Sequence, residues 1–362
     1  MFRRLTASLS VAALLLAGAS VTRSAQEEPL RRFAFGSCAK QDQPQPIWEA
    51  VLETKPQLFT FLGDNIYGDT EDMEVLRRKY AQLGAQPGYR KLKESCEIRA
   101  TWDDHDYGVN DGGAEYPKKR ESQQVFLEFF EVPRDDPRWR QEGIYHSELL
   151  GPPGRRVQLI LLDARYHRGP LKKGVNRTEP GEGYRGSYVP NDDPSATVLG
   201  ETQWKWLEAQ LRVPADLRLI GSGIQVVSEE HGWEHWGNFP RERQRLLRLV
   251  RRTGAEGVVF LSGDRHLAEI SRQQPGRDAA TYPLYDVTSS SLNAPNPNFS
   301  KARVRFGNEI NRHRVGLTYF ETNFGFVEID WDQPTPVVRL QVRDKNCGVV
   351  LQQRLSLSDL QR

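Results

Sequence analysis

The sequence has few cysteines, almost no net charge and, beyond its first 25 residues, no hydrophobic run long enough to cross a bilayer. The three cysteines are an odd number, so at least one thiol stays unpaired even in an oxidising compartment. Cys96 and Cys347 are the two that could form a disulfide, and we expect Cys38 to be free. The 50 basic and 48 acidic residues are interspersed and give a net charge of +2. This pattern offers no basic stripe for a nucleic-acid backbone.

Residues 1–25 have the features of an export signal. Arg3 and Arg4 precede an apolar segment at residues 9–17, and small residues follow at 17–19, as in a cleavage site. The apolar segment is too short for a transmembrane helix, although an uncleaved membrane anchor is the alternative. We therefore predict a signal peptide and a secreted or periplasmic protein, whose formal charge falls to 0 once both arginines are removed.

The remaining chain alternates predicted strands with predicted helices and ends in a run of strands. No repeat or linker divides it, so we predict one two-sheet α/β domain over residues 30–362. The long polar loop at 171–194 is expected to border a substrate cleft. Apolar runs predict strands at residues 32–35, 58–62, 98–102, 157–162, 217–220, 260–262, 282–291, 324–331 and 337–342. Apolar residues at helical spacing predict helices at 46–53, 71–83, 125–130, 203–211 and 241–252.

Two similar segments, residues 61–67 and 260–266, carry the strongest functional signal. In each, an apolar strand runs into a Gly-Asp turn, and a tyrosine or a histidine follows. Ligands in open α/β sheets bind beyond the carboxyl ends of the strands, so the two turns would bring their polar side chains to one edge. Converging carboxylate, phenol and imidazole groups indicate a metal site. The residues concerned are Asp64, Tyr67, Asp264 and His266.

Two residues bear on the identity of the metal. Tyr67 offers a phenolate, and Cys38, at the end of the first predicted strand, offers a thiolate. Both donors suit a trivalent iron better than magnesium. Two alternatives remain open, namely Cys38 as a thiol nucleophile and Asp64 as a turn residue or helix cap.

A third polar cluster follows the strand that ends at Trp102. Three aspartates, at positions 103, 104 and 106, lie around His105. Carboxylates this close repel one another unless a metal or a protonated imidazole relieves the repulsion. A solvated acidic turn is the alternative.

Two amides and an arginine complete the candidates. Asn110 and Gln225 could supply oxygen ligands to a hard cation. Arg265 could either contact phosphate oxygens or point into solvent.

Taken in order, six stretches resemble the PhoD-type alkaline phosphatase family, a branch of the calcineurin-like metallophosphoesterases. The wider superfamily opens with an Asp-x-His pair, whereas this chain has Ser37-Cys38, which favours the PhoD branch. The six stretches are residues 35–38, residues 63–67, residues 102–106 with Asn110, residues 162–168, the segment around Gln225, and residues 262–266.

The resemblance implies an α/β fold, built as a two-sheet α/β/β/α sandwich, and hydrolysis of phosphomonoesters or phosphodiesters with Fe3+ and Ca2+. Carried over by position, the iron ligands would be Cys38, Asp64, Tyr67 and Asp264. The calcium ligands would be Asp64, Asn110, Gln225 and His266. The catalytic residues would be Asp104, which is also a possible ligand, His105 as an acid or transition-state stabiliser, and Arg165 as a phosphoryl contact.

Three functions follow from these residues. The first is a secreted phosphoesterase whose partner is a small phosphomonoester or, as a variant, a diester of a nucleotide or phospholipid headgroup. The second is a secreted calcium-binding structural protein with a non-catalytic cluster, and the third is a hydrolase that uses the Cys38 thiol. We expect the first, because Tyr67 together with Cys38 would be an unusual choice for a purely structural calcium site.

Overall fold

The computed structural model of the protein describes residues 28–174, 187–295 and 309–361. The predicted signal peptide lies outside these ranges, as does the middle of the predicted loop at 171–194. No helix within the described ranges is long and apolar enough to span a membrane.

The described residues form two six-stranded sheets. The first sheet contains β1 (Arg32–Gly36), β2 (Leu58–Leu62), β3 (Glu97–Thr101), β10 (Asn323–Asp330), β11 (Val337–Asp344) and β12 (Val349–Ser356), in the spatial order β12-β11-β10-β1-β2-β3. Strands β1, β2 and β3 are parallel, and β10 joins β1 in the antiparallel orientation. The three parallel strands therefore end at the same edge of this sheet.

The second sheet contains β4 (His146–Leu150), β5 (Val157–Leu161), β6 (Leu217–Ser222), β7 (Val258–Ser262), β8 (Ala268–Gln273) and β9 (Leu284–Ser289), in the spatial order β4-β5-β6-β7-β9-β8. Strands β5, β6, β7 and β9 are parallel, and the two edge strands are antiparallel to their neighbours. Four parallel strands thus end together in the second sheet.

The two sheets pack face to face, and helices cover their outer faces. Phe33 of the first sheet and Leu219 of the second lie in one core between the sheets. Phe61 packs with Trp48 on the outer face of the first sheet, and Trp204 belongs to the core of the second. The predicted α/β/β/α sandwich is confirmed. The helices are α1 (Ile47–Glu53), α2 (Met73–Ala85), α3 (Pro87–Ser95), α4 (Asp104–Tyr107), α5 (Lys119–Phe129), α6 (Gly200–Leu211) and α7 (Pro240–Thr253).

Strand β2 shows how the sequence produces these layers. Side chains alternate across a strand, so Leu58 and Leu62 enter the core between the sheets while Phe59 and Phe61 pack under the helices. All five residues of β2 are buried. A strand that is covered on both faces appears in the sequence as a continuous apolar run.

The predicted strands are all present, and their ends lie within two residues of the prediction. Strands β4, β8 and β12 and helices α3 and α4 are not predicted. Strands β4 and β12 lie at sheet edges and are mostly half-exposed or exposed, so no apolar run marks them. Helix α4 is a single turn, too short for a periodic pattern. Helix α5 begins at Lys119, earlier than the predicted 125.

The disulfide that the sequence leaves open is not formed, and all three cysteines are free thiols. Cys96 precedes β3 at one edge of the first sheet, and Cys347 lies between β11 and β12 near the other edge. Four inter-strand spacings separate β3 from β11, which corresponds to roughly 19 Å. A disulfide requires Cα atoms within about 7 Å.

Candidate metal centre

The carboxyl ends of the parallel strands from both sheets meet at one edge, and most of the predicted metal ligands lie there. Cys38 follows β1, Asp64 follows β2, and Asp264 follows β7. The backbone φ angle is 60° at Cys38, 49° at Asp64, 70° at Asp264 and 53° at His266. Non-glycine residues rarely adopt this left-handed conformation, and those that do cluster at functional sites. The fold therefore holds four predicted ligands in strained backbone positions.

Gly63 permits the close approach of the first two acidic turns. Its φ is 97°, and a Cβ atom built on it would lie 2.3 Å from the Cβ of Asp103. Any other residue would push apart the turns that follow β2 and β3. The glycine of the Gly-Asp motif is therefore required for these turns to meet.

Cys38, Asp64, Tyr67 and His266 form a cluster that we call the thiol–carboxylate group. The Sγ of Cys38 lies 3.3 Å from Oδ2 of Asp64, and the Tyr67 hydroxyl lies 3.5 Å from Nε2 of His266. One ligand atom from each of Cys38, Asp64 and His266 fits within 4.8 Å of the others. Oδ1 of Asp64 is buried and has no hydrogen-bond partner among the described residues. A buried carboxylate oxygen left in this way is costly unless a cation binds it.

The imidazole of His266 is held in the tautomer that a metal ligand needs. Its Nδ1 lies 2.6 Å from the carbonyl oxygen of Ala294, which can only accept, so Nδ1 carries the proton. Nε2 then carries no proton, and its lone pair faces the thiol–carboxylate group. Burial lowers the pKa of His266 to about 4, so the ring is neutral at physiological pH. This second-sphere bond to a carbonyl is the usual way of orienting a metal-binding histidine.

The acidic members of the group favour protonation when only protein groups surround them. Burial raises the pKa of the Cys38 thiol well above its usual range, and the nearby Asp64 adds to the effect. Burial also raises the pKa of the Asp64 carboxyl and of the Tyr67 hydroxyl. A cation between them would reverse these shifts, because it stabilises thiolate, carboxylate and phenolate together. The donor set therefore fits a metal ion.

His105 lies beside this group and is held by Asp69, which no sequence pattern marks. Its Nδ1 is 2.8 and 2.9 Å from the two carboxylate oxygens of Asp69. Burial opposes the charged imidazolium, but the surrounding carboxylates, with Asp64 first, outweigh it and raise the pKa of His105 to about 11. Because Nδ1 faces Asp69, Nε2 is the nitrogen left for a substrate.

Asp104 is buried between the two sheets' strand ends. Its Oδ1 accepts the backbone N–H of His105 at 2.9 Å, and its Oδ2 accepts that of Asp111 at 2.7 Å. Burial opposes ionisation, but the charge of Arg165 outweighs it and lowers the pKa of Asp104 well below its usual range. Ligand atoms of Asp104 and Asp264 also lie within 4.8 Å of each other, in a set that includes Asp103.

A second buried cluster, which we call the arginine-paired group, consists of Asp103, Arg165, Arg168 and Glu234. The guanidinium of Arg165 is fully buried and lies 2.6 Å from Asp103 and 2.7 Å from Glu234. Glu234 also lies 3.0 Å from Nε of Arg168. The four side chains alternate in sign and neutralise one another. Glu234 was missed from the sequence, although the histidines at 231 and 235 that flank it could have drawn attention to the segment.

The two predicted amide ligands are placed differently from the rest. The side chain of Asn110 is exposed, and its backbone N–H donates to Asp69 at 3.1 Å. Gln225 is buried, and its amide nitrogen donates to Glu269 at 2.9 Å and to Thr288 at 2.8 Å. The amide oxygen of Gln225 lies 2.9 Å from Nε2 of His231. Both the nitrogen and the oxygen of the Gln225 amide are thus hydrogen-bonded to other side chains.

Arg265 takes neither of the positions that the sequence leaves open. Its guanidinium is buried and pairs with the buried carboxylate of Glu309.

Ser290, which no sequence pattern marks, contacts the centre from the other side. Its hydroxyl lies 3.2 Å from Sγ of Cys38 and accepts the backbone N–H of His266 at 2.9 Å.

The stem of the predicted loop at 171–194 reaches this edge. Gly174 and Ser187 are joined by a backbone hydrogen bond of 3.0 Å. The hydroxyl of Tyr188 donates to the carboxylate of Asp111. The described part of the loop thus lies beside the acidic turn that follows α4.

A cavity of about 680 Å³ lies elsewhere, between the edge strands β3 and β4. None of the predicted site residues lines it. Its lining charges are paired, since Arg99 contacts Glu148 at 2.8 Å and Arg138 contacts Asp136 at 2.8 Å. His146 also lines it, with its Nδ1 3.2 Å from Arg138.

The fold is a two-sheet α/β sandwich, and clusters of side chains at one of its edges could hold a metal ion. The family model for the PhoD-like phosphatases matches residues 33–339, and the chain belongs to this family. Alkaline phosphatase D of Bacillus subtilis (strain 168) is 21% identical over 277 residues, which cover 66% of this chain and 46% of that protein. The chain therefore spans about half the length of this curated relative.

Two solved structures show the same fold. The structure of PhoD is 16% identical, with a TM-score of 0.69, and the match covers 92% of this chain and 69% of that one. GAP50, described as the anchor in the inner membrane complex of Plasmodium, is 12% identical, with a TM-score of 0.51 and coverage of 91% and 89%. A protein described as an anchor shares the fold, so the side chains of the site have to carry the functional argument.

Proposed function

We propose that this protein is a metal-dependent phosphoesterase that hydrolyses small phosphomonoesters, phosphodiesters or both outside the cytoplasm. The observation that supports this most is the thiol–carboxylate group, in which Cys38, Asp64 and His266 offer ligand atoms within 4.8 Å of one another. An oxygen of Asp64 in this group is buried without a hydrogen-bond partner. Membership of the PhoD-like phosphatase family supports the reaction class. The predicted signal peptide at 1–25 supports the location.

The metals we propose are Fe3+ and Ca2+. Iron would be held by Cys38, Asp64, Tyr67 and Asp264, and calcium by Asp64, Asn110, Gln225 and His266. For Gln225 to take part, its amide oxygen would have to exchange its contact with His231 for the cation. When bound, the cations would neutralise phosphoryl oxygens and lower the pKa of a water molecule from about 15.7 towards about 7.

The residues beside the metals would protonate the leaving group and orient the turns that carry the ligands. His105 would donate a proton from Nε2 to the leaving alkoxide while Asp69 holds Nδ1. The phosphoryl contact implied for Arg165 remains a prediction. The described contacts of Arg165 support a positioning role, because its guanidinium ties Asp103 to Glu234 and thereby orients the turn that carries Asp104.

The test is elemental analysis of the purified native protein, combined with hydrolysis of p-nitrophenyl phosphate and bis-p-nitrophenyl phosphate, with and without added calcium. We expect iron and calcium in the protein and loss of activity on chelation. The ratio of the two rates would assign the ester class. The structural alternative predicts instead that calcium removal lowers the melting temperature while neither ester is cleaved at any pH.

A further inference from the structure

Lys40 occupies a fixed position at the rim of the candidate metal centre. It lies two residues after Cys38, and its backbone N–H donates to the side-chain oxygen of Asn293 at 2.7 Å. The amide nitrogen of Asn293 donates back to the carbonyl of Lys40 at 2.9 Å and to that of Pro44 at 3.2 Å. Asn293 therefore clamps the loop that carries Lys40 to the segment beyond β9.

The ammonium of Lys40 has no carboxylate partner among the described residues. The residue is exposed, and no acidic side chain in the described ranges lies within 4.0 Å of its Nζ, which is 5.4 Å from the ring centroid of Tyr67. Lys40 therefore carries a positive charge beside Tyr67 that no carboxylate of the described residues neutralises.

Lys79 and Arg165, the lysine and the arginine compared with Lys40 here, are already occupied by protein groups. Lys79 lies next to Tyr67, but its ammonium donates to the carbonyls of Tyr67 at 2.6 Å and Gly68 at 2.9 Å. Arg165 is fully buried between Asp103 and Glu234. Lys40 thus differs from both in offering an exposed positive charge that is not ion-paired within the described ranges.

We propose that Lys40 is a substrate-binding residue that contacts an outer oxygen of the phosphoryl group and favours dianionic phosphomonoesters over monoanionic phosphodiesters. The inference rests on the proposed function and names its substrate class. A cation at the mouth of the site attracts a dianion more strongly than a monoanion, because Coulomb energy scales with the product of the charges. The clamp by Asn293 reduces the backbone freedom that would be lost on binding.

The test compares wild type, Lys40→Ala and the control Lys91→Ala, each loaded with metal and assayed at low salt. Lys91 is an exposed lysine on α3 with no acidic partner within 4.0 Å among the described residues, so its removal changes the net charge equally. We expect Lys40→Ala to raise KM for p-nitrophenyl phosphate about tenfold, and for bis-p-nitrophenyl phosphate about threefold, with kcat within about twofold. Calorimetry with inorganic phosphate should show a similar loss of about tenfold in affinity.

Several results would overturn the proposal. An unchanged phosphate affinity in Lys40→Ala, equal changes for both esters, or the same losses in Lys91→Ala would each do so. Loss of bound metal in Lys40→Ala would show that the residue acts through the metal centre. If wild type binds phosphate but cleaves neither ester, the proposed hydrolysis fails, whereas weaker phosphate binding by Lys40→Ala would still support the anion contact.

Discussion

The thiol–carboxylate group and the arginine-paired group lie at the same edge of the sandwich, and they differ in how their buried charges are balanced. In the arginine-paired group, Arg165 and Arg168 neutralise Asp103 and Glu234 at distances of 2.6 to 3.0 Å. In the thiol–carboxylate group no lysine or arginine pairs with Asp64 among the described residues, and the cationic side chain that acts on its carboxylate is the imidazole of His105.

This difference separates carboxylates that the protein neutralises itself from those that are left for a cation. Buried charges are stable only when paired or coordinated. The self-balanced group therefore serves the stability and orientation of the turns, whereas the unbalanced group is a candidate for binding metal. Each prediction below tests one side of this contrast.

Asp64→Asn tests the unbalanced group and should have the largest effect. It keeps the size of the side chain and tolerates the left-handed backbone, but it removes the charge. We expect loss of bound metal and a fall in kcat of roughly 10⁴-fold, with metal-free stability equal to or above that of wild type. Near-normal turnover in the purified, folded variant would sink the assignment. Asp278→Asn, at an exposed carboxylate on the surface, is the control.

Arg165→Met tests the balanced group by leaving Asp103 buried without its arginine and Glu234 paired with Arg168 alone. We expect the free energy of unfolding to fall by roughly 3–5 kcal/mol, measured by urea denaturation of the metal-free protein. The control is Arg134→Met, because Arg134 is 73% exposed and pairs with Glu128 only at 3.5 Å. A loss below about 1 kcal/mol for Arg165→Met would contradict the distinction between the two groups.

His105→Ala should lower kcat about 10²-fold, with little change in KM, because a general acid acts only in the transition state.

Asp69→Asn should lower kcat by a smaller factor, since it disturbs the orientation of the His105 imidazole. Steady-state kinetics on p-nitrophenyl phosphate would measure both. If Asp69→Asn matched the exposed control Asp193→Asn in kcat, a positioning role for Asp69 would be excluded.

His146 lies outside the candidate metal centre, and its protonation should make stability depend on pH. Burial, together with the charges of Arg138 and Arg99, lowers the pKa of His146 to about 3. The unfolded chain therefore takes up a proton between about pH 6.5 and pH 3 that the folded protein rejects, so stability is lost as the pH falls through this range. Between pH 7.5 and pH 5, His146→Gln should remove at most about 2 kcal/mol of that loss. Equal pH dependence in wild type and variant would contradict this.

Most of the fold could be predicted because its central strands are covered on both faces. Strand β7 is buried throughout and appears in the sequence as an apolar run ending in a glycine. Strand β12 could not be predicted in this way, because it lies at an edge and half-exposed residues interrupt its pattern. The same reasoning explains why β4 escapes detection.

Within the site, the candidate ligands could be predicted better than the residues that position them by hydrogen bonds. Asp64 and Asp264 follow apolar strands directly, so chain order alone brings them to one edge. Asp69 holds the imidazole of His105, and Ser290 holds the backbone N–H of His266. Both lie in loops, and no local pattern distinguishes such residues from ordinary turn residues.

The sequence by itself determined which side chains come to this edge, because strands that end in a turn deliver the following residues there. Only the tertiary structure decided which of these charges are balanced. Arg165 pairs with residues 62 and 69 positions away in the chain, whereas Lys40, two positions from a predicted ligand, pairs with no carboxylate in the part of the chain that the structure describes. Charge balance depends on distances between strand ends from two different sheets, and those distances exist only after the sheets have packed.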